Sequence, residues 1–209
     1  MSEIKPQAAA YHGIANAKYS LRGTDGKPGS TVVDLLYAKS ISFEPQVDEQ
    51  AVYANDQKVL ALVSDKGFTG SLGTTAQDRA LEKGLGHIVD VAQGVATVNL
   101  ISYKRADVYY EYKETTPSVT YTVKVWVLNV EISKPSSVEH NTDEEQPTIG
   151  EYAYPITVYG DKIQDSTGTG TYRDANGNEL VATKVISLPG DDGYDTFGDA
   201  VPVVKMASA

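Results

Sequence analysis

Short apolar stretches alternate with turn-forming residues along most of the chain, a pattern typical of many short β-strands. The strongest predicted strand is Thr120–Ser133, in which apolar residues recur at alternate positions. Between Val125 and Leu128 the residues of both faces are apolar. A strand with water on one side would be polar on that face. We therefore expect this middle portion to be covered on both faces, by a helix or by another subunit.

Similar patterns predict strands before and after this one. Pro155 lies inside the last alternating stretch and indicates an edge strand or a bulge. The tight-turn pair Asn176-Gly177 predicts a hairpin over Tyr172–Leu188, and Val201–Met206 would add a final strand to this subunit or to a neighbour. The other predicted strands are Ala15–Arg22, Val32–Phe43, Lys58–Val63, Gly67–Gly73, Val95–Tyr103, Val108–Lys113 and the alternating residues 152–158.

One segment, Ala76–Leu85, has apolar residues at helical spacing. Thr75 is expected to cap its N-terminus, with Asp78 at the third helical position as in a capping box. Gly84 and Gly86 can end the helix. The residues predicted to face inward are Ala76, Ala80, Leu81 and Leu85.

These elements predict a mainly β fold, a β-sandwich or barrel-like structure with one short flanking α-helix. The 14 Tyr favour strands, and the 18 Gly and nine Pro supply turns. Because the chain has no Cys, disulfides and thiolate metal sites are excluded, and the fold must be held by packing or by packing plus assembly. The expected organisation is an N-terminal arm at 1–13, a β domain at 14–165 and a C-terminal hairpin and arm at 166–209.

The 209-residue chain has a formal net charge of −10, and this charge is localised. Residues 139–199 hold 13 acidic and three basic residues, so they account for the whole surplus. No basic stripe is present, which argues against nucleic-acid binding by charge. The N-terminus lacks the apolar core of a secretory signal, and no apolar run is long enough to cross a bilayer, so we expect a protein that is made and used without export.

Few residues have a pattern that would support chemistry. None of the three His has a partner at metal-ligand spacing, and the glycines of 67–73 lack the lysine of a phosphate loop and the dinucleotide fingerprint. Residues 174–179 fit a hairpin turn better than a calcium loop. We expect no catalytic, cofactor or metal site, with a weak cation site at Asp191–Asp199 left open. The residues considered were His12, His87 and His140, and Asp191, Asp192, Asp195 and Asp199.

Three stretches together resemble a known family. They are SISFEPQVDEQAVYANDQKV at 40–59, GFTGSLGTTAQDRALEKGLGH at 67–87, and the long segment 107–160 with its Trp-bearing strand and acidic loop. In texture and element order the chain resembles the major tail tube proteins of long-tailed bacteriophages with non-contractile tails. The resemblance covers roughly residues 10–165.

The resemblance implies a tail tube fold and a structural virion protein that self-assembles into hexameric rings. The rings stack into a tube that conducts the genome. It implies partners in the tail tip, tape measure and tail terminator proteins, DNA that passes without specific binding, and assembly in the host cytoplasm. An acidic surplus fits a conduit through which DNA must slide.

In that family a long loop between early strands and a terminal arm bridge stacked rings. Carried onto this chain, the loop is Glu44–Lys58, and the arms are 1–13 and roughly 195–209. Val52 and Tyr53 are an apolar pair in this otherwise polar segment, as expected of residues that bury against a partner. The expected interface residues between rings or subunits are Glu44, Pro45, Val47, Val52, Tyr53, Asn55, Asp56 and Lys58.

Other function classes remain open at this level. An immunoglobulin-like adhesin or a capsid decoration protein would also be β-rich and rich in Tyr. A hydrolase lacks support, because no motif names a nucleophile or a base. A tube protein of a contractile injection machine is a close variant of the family suggested above.

Overall fold

The computed structural model describes residues 10–54, 57–99, 104–135 and 151–206, with the backbone alone for residues 48–65. The described chain is mainly β with one short helix, which confirms the predicted fold class. Its elements are β1 (Ala10–Leu21), β2 (Val33–Asp34), β3 (Ala38–Ala54), β4 (Gln57–Thr74), α1 (Arg79–Leu85), β5 (Ile88–Val91), β6 (Gly94–Thr97), β7 (Arg105–Thr115), β8 (Thr120–Ile132), β9 (Tyr152–Val158), β10 (Asp161–Lys162), β11 (Val181–Ala182) and β12 (Lys184–Ser187).

An antiparallel sheet of eight strands forms the body. Seven strands follow the order β2-β1-β7-β8-β9-β4-β3, and β12 pairs with β8 beyond the end of β9. The two outermost strands, β2 and β3, are joined by the short connection from Asp34 to Ala38, which spans at most about 14 Å. The sheet must therefore curl until its two edges meet, which gives it a barrel-like shape.

The inner side of the curled sheet holds the larger hydrophobic core. Val123, Val125 and Val127 of β8 pack there with Leu81 and Leu85 of α1, and all five are buried. The Tyr154 hydroxyl of β9 donates a hydrogen bond to the Glu82 carboxylate of the same helix. The helix thus packs on this core and is tied to β9.

The outer side of β7 and β8 carries a second core around Tyr109, Trp126 and Leu128. The chain's own C-terminal segment, residues 161–206, covers this face. Its residues that pack there include Val185, Phe197, Val201 and Val204. The prediction that the middle of β8 is covered on both faces is confirmed. The expected second cover was wrong, because it is neither a helix nor another subunit, and the described C-terminal residues pack on their own chain.

The helix begins three residues later than predicted. Asp78, not Thr75, is its N-cap, and the Asp78 carboxylate accepts hydrogen bonds from the N–H groups of Ala80 and Leu81. Gly86 follows the helix in the left-handed conformation, with φ of 84°, as predicted. Ala76 lies before the helix and Ala80 is exposed, so the inward stripe is narrower than expected.

Several strand boundaries differ from the predicted ones. Val32–Phe43 is not one strand, since β2 ends at Asp34 and β3 begins at Ala38. The two predicted strands Lys58–Val63 and Gly67–Gly73 are parts of the single strand β4. β1 begins at Ala10, within the stretch expected to form an arm. The other strands agree in their cores, but β6 ends at Thr97 rather than at Tyr103.

The C-terminal region also pairs differently. The turn at Asn176-Gly177 is present, and Arg173 pairs with Glu179 across it. The predicted hairpin over 172–188 goes no further, because β11 pairs with β10 and β12 pairs with β8. Of the predicted last strand only Lys205 forms a bridge, to Gln164. Tertiary partners thus replaced the local pairing expected for residues 180–188.

Pro155 lies in an interior strand between β8 and β4, not at an edge. Its carbonyl oxygen accepts a hydrogen bond from Ser133, just beyond the last ladder pair of β8 and β9, Ile132 with Ile156. A residue's N and C=O point to the same side of a strand, so the missing N–H of Pro155 faces the place where this ladder ends. The proline is tolerated for that reason.

Candidate assembly surfaces

The most prominent feature of the chain is the long hairpin of β3 and β4. Its two strands have 17 and 18 residues and pair from Ala38 with Thr74 to Ala54 with Gln57. β9 pairs with β4 only from Phe68 to Thr74. Beyond Phe68, no other described strand pairs with the hairpin. We call residues 46–66 the distal hairpin.

Six of the eight predicted interface residues lie in this hairpin. Glu44, Pro45 and Val47 of β3 are exposed, Val47 to 54%. Val52 and Tyr53 lie in β3 and Lys58 lies in β4, whereas Asn55 and Asp56 lie outside the described residues. The segment 44–58 is therefore not a loop between strands, as expected, but mainly paired strand.

A β-bulge separates the distal hairpin from its base. Pro45 pairs with Phe68 and Val47 pairs with Asp65, so β4 has one residue more than β3 in between. Gly67 adopts a φ of 89° there, and a Cβ at this position would lie 2.5 Å from the carbonyl oxygen of Val158. Glycine is required on both grounds, and the bulge bends the hairpin where it leaves β9.

Lys184 of β12 lies against the inner side of the same bend. Its ammonium is 3.7 Å from the ring centroid of Phe43 and 4.9 Å from that of Phe68. Burial lowers the pKa of the Lys184 ammonium. The cation thus joins β12 to both strands of the hairpin at the point where they diverge from the body.

The outer edge of β3 is a second unpaired surface. β3 ends the strand order of the sheet. Part of it lies beside β1, where the two edges of the sheet meet, but no described strand pairs with its outer side. Ser40, Ser42 and Glu44 are exposed along it. A strand edge of this length presents a row of N–H and C=O groups that can template pairing with another chain.

A groove of about 370 Å³ lies where the two edges of the sheet meet. Residues 14–18 of β1 and 34–38 form its walls. Leu36 and Tyr37 stand at its rim with 57% and 62% of their surfaces exposed. Both residues lay inside a predicted continuous strand and were not among the predicted interface residues.

Backbone strain is concentrated at this groove. Three non-glycine residues of the described chain have positive φ, and two of them, Asn16 at 47° and Tyr37 at 63°, line the groove. This conformation costs a residue with a Cβ about 1–2 kcal/mol. The cost is offset in part by a hydrogen bond from the Thr75 N–H to the Tyr37 carbonyl oxygen. A large aromatic residue that is strained and exposed indicates a functional position.

The buried charges near β1 form a structural network. Arg22 donates hydrogen bonds to the carboxylates of Asp107 and Asp161 at distances of 2.5–3.0 Å. The Asn129 N–H also donates to Asp107. Burial raises the pKa of the Asp107 carboxyl, against the opposing effect of Arg22. This network ties β10, at the start of the C-terminal segment, to β1 and β7.

The residues considered for metal chemistry do not come together. His12 is exposed and bonds to Thr115, His87 is buried against the Ile132 carbonyl oxygen, and His140 lies outside the described residues. Asp191 accepts a hydrogen bond from the Leu188 N–H in a turn. Within the described ranges no group of three or more His, Asp or Glu side chains is arranged to hold a metal ion.

The described part of the chain contains no helix that is both long and apolar enough to span a membrane. No protein-family model matches the sequence, and no curated protein matches it. The unpaired surfaces described above are therefore the observations on which a functional proposal rests.

Proposed function

We propose that this chain is a structural subunit that assembles with copies of itself into stacked rings, forming the tail tube of a long-tailed bacteriophage. The observation that carries the proposal is the β3–β4 hairpin, with an unpaired distal part and an unpaired outer edge. The proposal assigns the chain no catalysis, cofactor or metal.

The distal hairpin has a physical need for a partner. A two-stranded hairpin is at best marginally stable in water, and it becomes stable when a third strand or a packed face is added. Its sequence also includes the apolar residues VLALV at 59–63 and Val52-Tyr53. Assembly with a second copy would supply the missing contacts and bury these residues.

The outer edge of β3 suits lateral contacts between subunits of one ring. A neighbouring strand could continue the sheet across the subunit boundary through main-chain hydrogen bonds. Such a continuous sheet would form a closed wall, as in the family that the sequence resembles. Hexameric symmetry, the tail tip, tape measure and tail terminator as partners, and a place in the virion follow from that resemblance and are part of the proposal.

The test compares wild-type protein with a shortened hairpin in negative-stain electron microscopy. Val47 pairs with Asp65. Residues 48–64 can therefore be replaced by Asn-Gly, which closes the hairpin with a two-residue turn. We expect rings or tubes from the wild-type protein, in the presence of the tail tip complex if an initiator is needed. The shortened protein should stay a folded monomer.

A point variant gives a milder version of the same test. Val52→Asp introduces a charge in the distal hairpin, and Val203→Asp introduces the same charge at a position of the C-terminal segment that is 64% exposed. Loss of tubes with the first variant alone supports the proposal. A wild-type protein that stays monomeric at high concentration with the initiator present would contradict it. An adhesin or decoration protein would keep its ligand binding after the hairpin is shortened.

A further inference from the structure

The β3–β4 hairpin loses its sheet neighbour where it leaves the body. β9 pairs with β4 only as far as Phe68, which lies opposite Val158, and the chain turns away at Gly160 with a φ of 70°. β12 then takes the place of β9 beside β8, starting with Lys184 opposite Val127. No ladder among the described strands joins β12 to β4. Apart from the β-bulge itself, side-chain contacts at the base must therefore fix the direction of the distal hairpin.

Lys184 supplies such a contact to both strands of the hairpin. Its ammonium is 3.7 Å from the ring centroid of Phe43 in β3 and 4.9 Å from that of Phe68 in β4. Both rings are partly buried against the inner core, and Lys184 is partly buried as well, which strengthens the attraction between the cation and the rings. Among the described residues, no other cation lies over two aromatic rings.

The Phe43 ring is also held by the core. It stacks on Tyr110 of β7, with ring centroids 6.4 Å apart and an interplanar angle of 24°. Tyr110 is buried and stacks in turn on Tyr112 at 6.3 Å. β3 and β7 are not neighbours in the strand order. Phe43 therefore has two contacts, Tyr110 and Lys184, that belong to different parts of the body.

The strand that carries Lys184 is a firm support for this contact. β12 forms four ladder pairs with β8, between residues 184–187 and 124–127. Next to Lys184, Val185 packs into the outer core around Trp126. A group that positions another must itself be held by packing and hydrogen bonds, and β12 has both. Lys184 thus relates the hairpin to the C-terminal segment and, through that segment, to β8.

A small change at the base of the hairpin becomes large at its tip. Ala54 lies eleven positions beyond Phe43 in β3, which corresponds to about 37 Å of strand at ~3.4 Å per residue. Over that length, a rotation of about 10° at the base moves the tip by roughly 6 Å. The position of the tip therefore depends strongly on how the base is held.

We propose that Lys184 is a positioning residue that fixes the direction in which the distal hairpin leaves the body. Its ammonium draws Phe43 and Phe68 towards β12, so the C-terminal segment orients the hairpin in addition to covering the outer face of β8. The hairpin is then pre-organised in one orientation before any partner binds. The inference concerns the single chain and does not depend on the proposed assembly.

Distance measurements between two spin labels, by double electron–electron resonance, test this role. The chain has no Cys, so Ala54→Cys in β3 and Lys113→Cys, at an exposed position of β7, place one label on the hairpin and one on the body. With the rest of the chain unchanged, and with labelled protein diluted in unlabelled protein, we expect one narrow distance distribution. Lys184→Met keeps an apolar stem but removes the charge. It should broaden the distribution or shift its mean by about 5 Å or more, which corresponds to a rotation of roughly 10° at the base.

Two further variants separate positioning from stability. Lys184→Arg keeps a cation that also binds aromatic rings, so it should restore the distribution of the unchanged chain. Lys162→Met removes another Lys of the C-terminal segment, whose side chain is 62% exposed, and should leave the distribution as it is. A loss of stability alone would lower the unfolding midpoint but would not change the distances within the molecules that stay folded.

Each outcome decides the inference. An unaltered distribution in Lys184→Met would overturn it, as would a broad distribution in the unchanged chain. A failure of Lys184→Arg to restore the distribution would assign the effect to side-chain shape instead of charge and would count against it equally. If Lys184→Met does not fold, Phe68→Leu removes one of the two rings and should broaden the distribution in its place, and no broadening there would overturn the inference. Because the measurement requires no rings or tubes, its result is independent of the test of the proposed function.

Discussion

The indole N–H of Trp126 in β8 donates a 2.7 Å hydrogen bond to the carbonyl oxygen of Phe197, 71 residues further along the chain. The bond fixes the C-terminal segment on the outer face of the sheet. The Tyr109 ring lies 5.2 Å from the indole and 6.5 Å from the Phe197 ring, measured between centroids. A segment with little regular structure is thus held by one buried aromatic cluster.

We expect Phe197→Ala to weaken the packing of the C-terminal segment on the outer face of the sheet. The substitution removes a partly buried ring and should lower the free energy of unfolding by about 2 kcal/mol, somewhat less than for a fully buried ring. Trp126 is the only Trp of the chain, so its fluorescence emission reports on the cover directly and should shift to longer wavelength. Val203→Ala, at an exposed position of the same segment, should change neither quantity. Unchanged emission from Phe197→Ala would show that the cover does not depend on this ring.

Arg22→Met should be among the most destabilising single substitutions on the polar side of the core. It leaves the buried Asp107 carboxylate and the largely buried Asp161 carboxylate without their shared cation. Removing one partner of a buried ion pair costs about 3–5 kcal/mol. Denaturant unfolding would measure the loss. Arg173→Met is the control, because its exposed pair with Glu179 should contribute less than about 1 kcal/mol. Equal losses for the two variants would contradict the assigned role.

Gly67→Ala should destabilise the base of the hairpin. The alanine would have to adopt a positive φ, and its Cβ would also approach the Val158 carbonyl oxygen. Gly177→Ala has a similar φ of 84° but open space around the Cβ, so it isolates the cost of conformation alone, about 1 kcal/mol. We expect a clearly larger loss of unfolding free energy for Gly67→Ala. Comparable losses would mean that Val158 yields easily and that the bulge is not fixed by this contact.

His87 should make stability depend on pH below neutrality. Burial lowers the pKa of the His87 imidazole, so the unfolded chain takes up a proton that the folded chain does not. The contribution of His87 to the free energy of unfolding is therefore complete above the unfolded pKa of about 6.5. It is lost as the pH falls below that value, by at most ~1.4 kcal/mol per pH unit. Unfolding measured from pH 7 to pH 5 should show this slope.

The test for His87 is the slope of the unfolding free energy against pH, not the absolute stability. His87→Gln cannot titrate in this range and should flatten the dependence. His12→Gln, at an exposed position, should leave it as in the wild-type protein. A slope that persists in His87→Gln would assign the effect to other groups.

The pattern of residues anticipated much of the fold but little of its pairing. Alternation predicted β8, and its two apolar faces followed from residues 125–128, which contain no polar side chain. It did not predict that β3 continues through Pro45 to Ala54. Such an exposed strand has polar residues on both faces and resembles a loop in sequence. The partner strand β4 decides its conformation.

The groove at the base of the hairpin had no signal in the sequence. Leu35, Leu36 and Tyr37 read as the middle of an apolar strand, and a positive φ at Tyr37 contradicts the preference of that residue. The chain turns there because Leu35 is buried and its N–H bonds to Ala17, while the Tyr37 carbonyl oxygen bonds to Thr75. Both partners are distant in sequence, so only the closed sheet imposes the turn.

Local periodicity, residue type and charge were enough to predict the fold class, the doubly covered strand, the left-handed glycine after the helix and the location of the acidic surplus. They did not predict what covers Trp126, how far β3 and β4 run as a pair, or where the groove opens. Those features depend on contacts between residues far apart in the chain, whose free energies outweigh local preference.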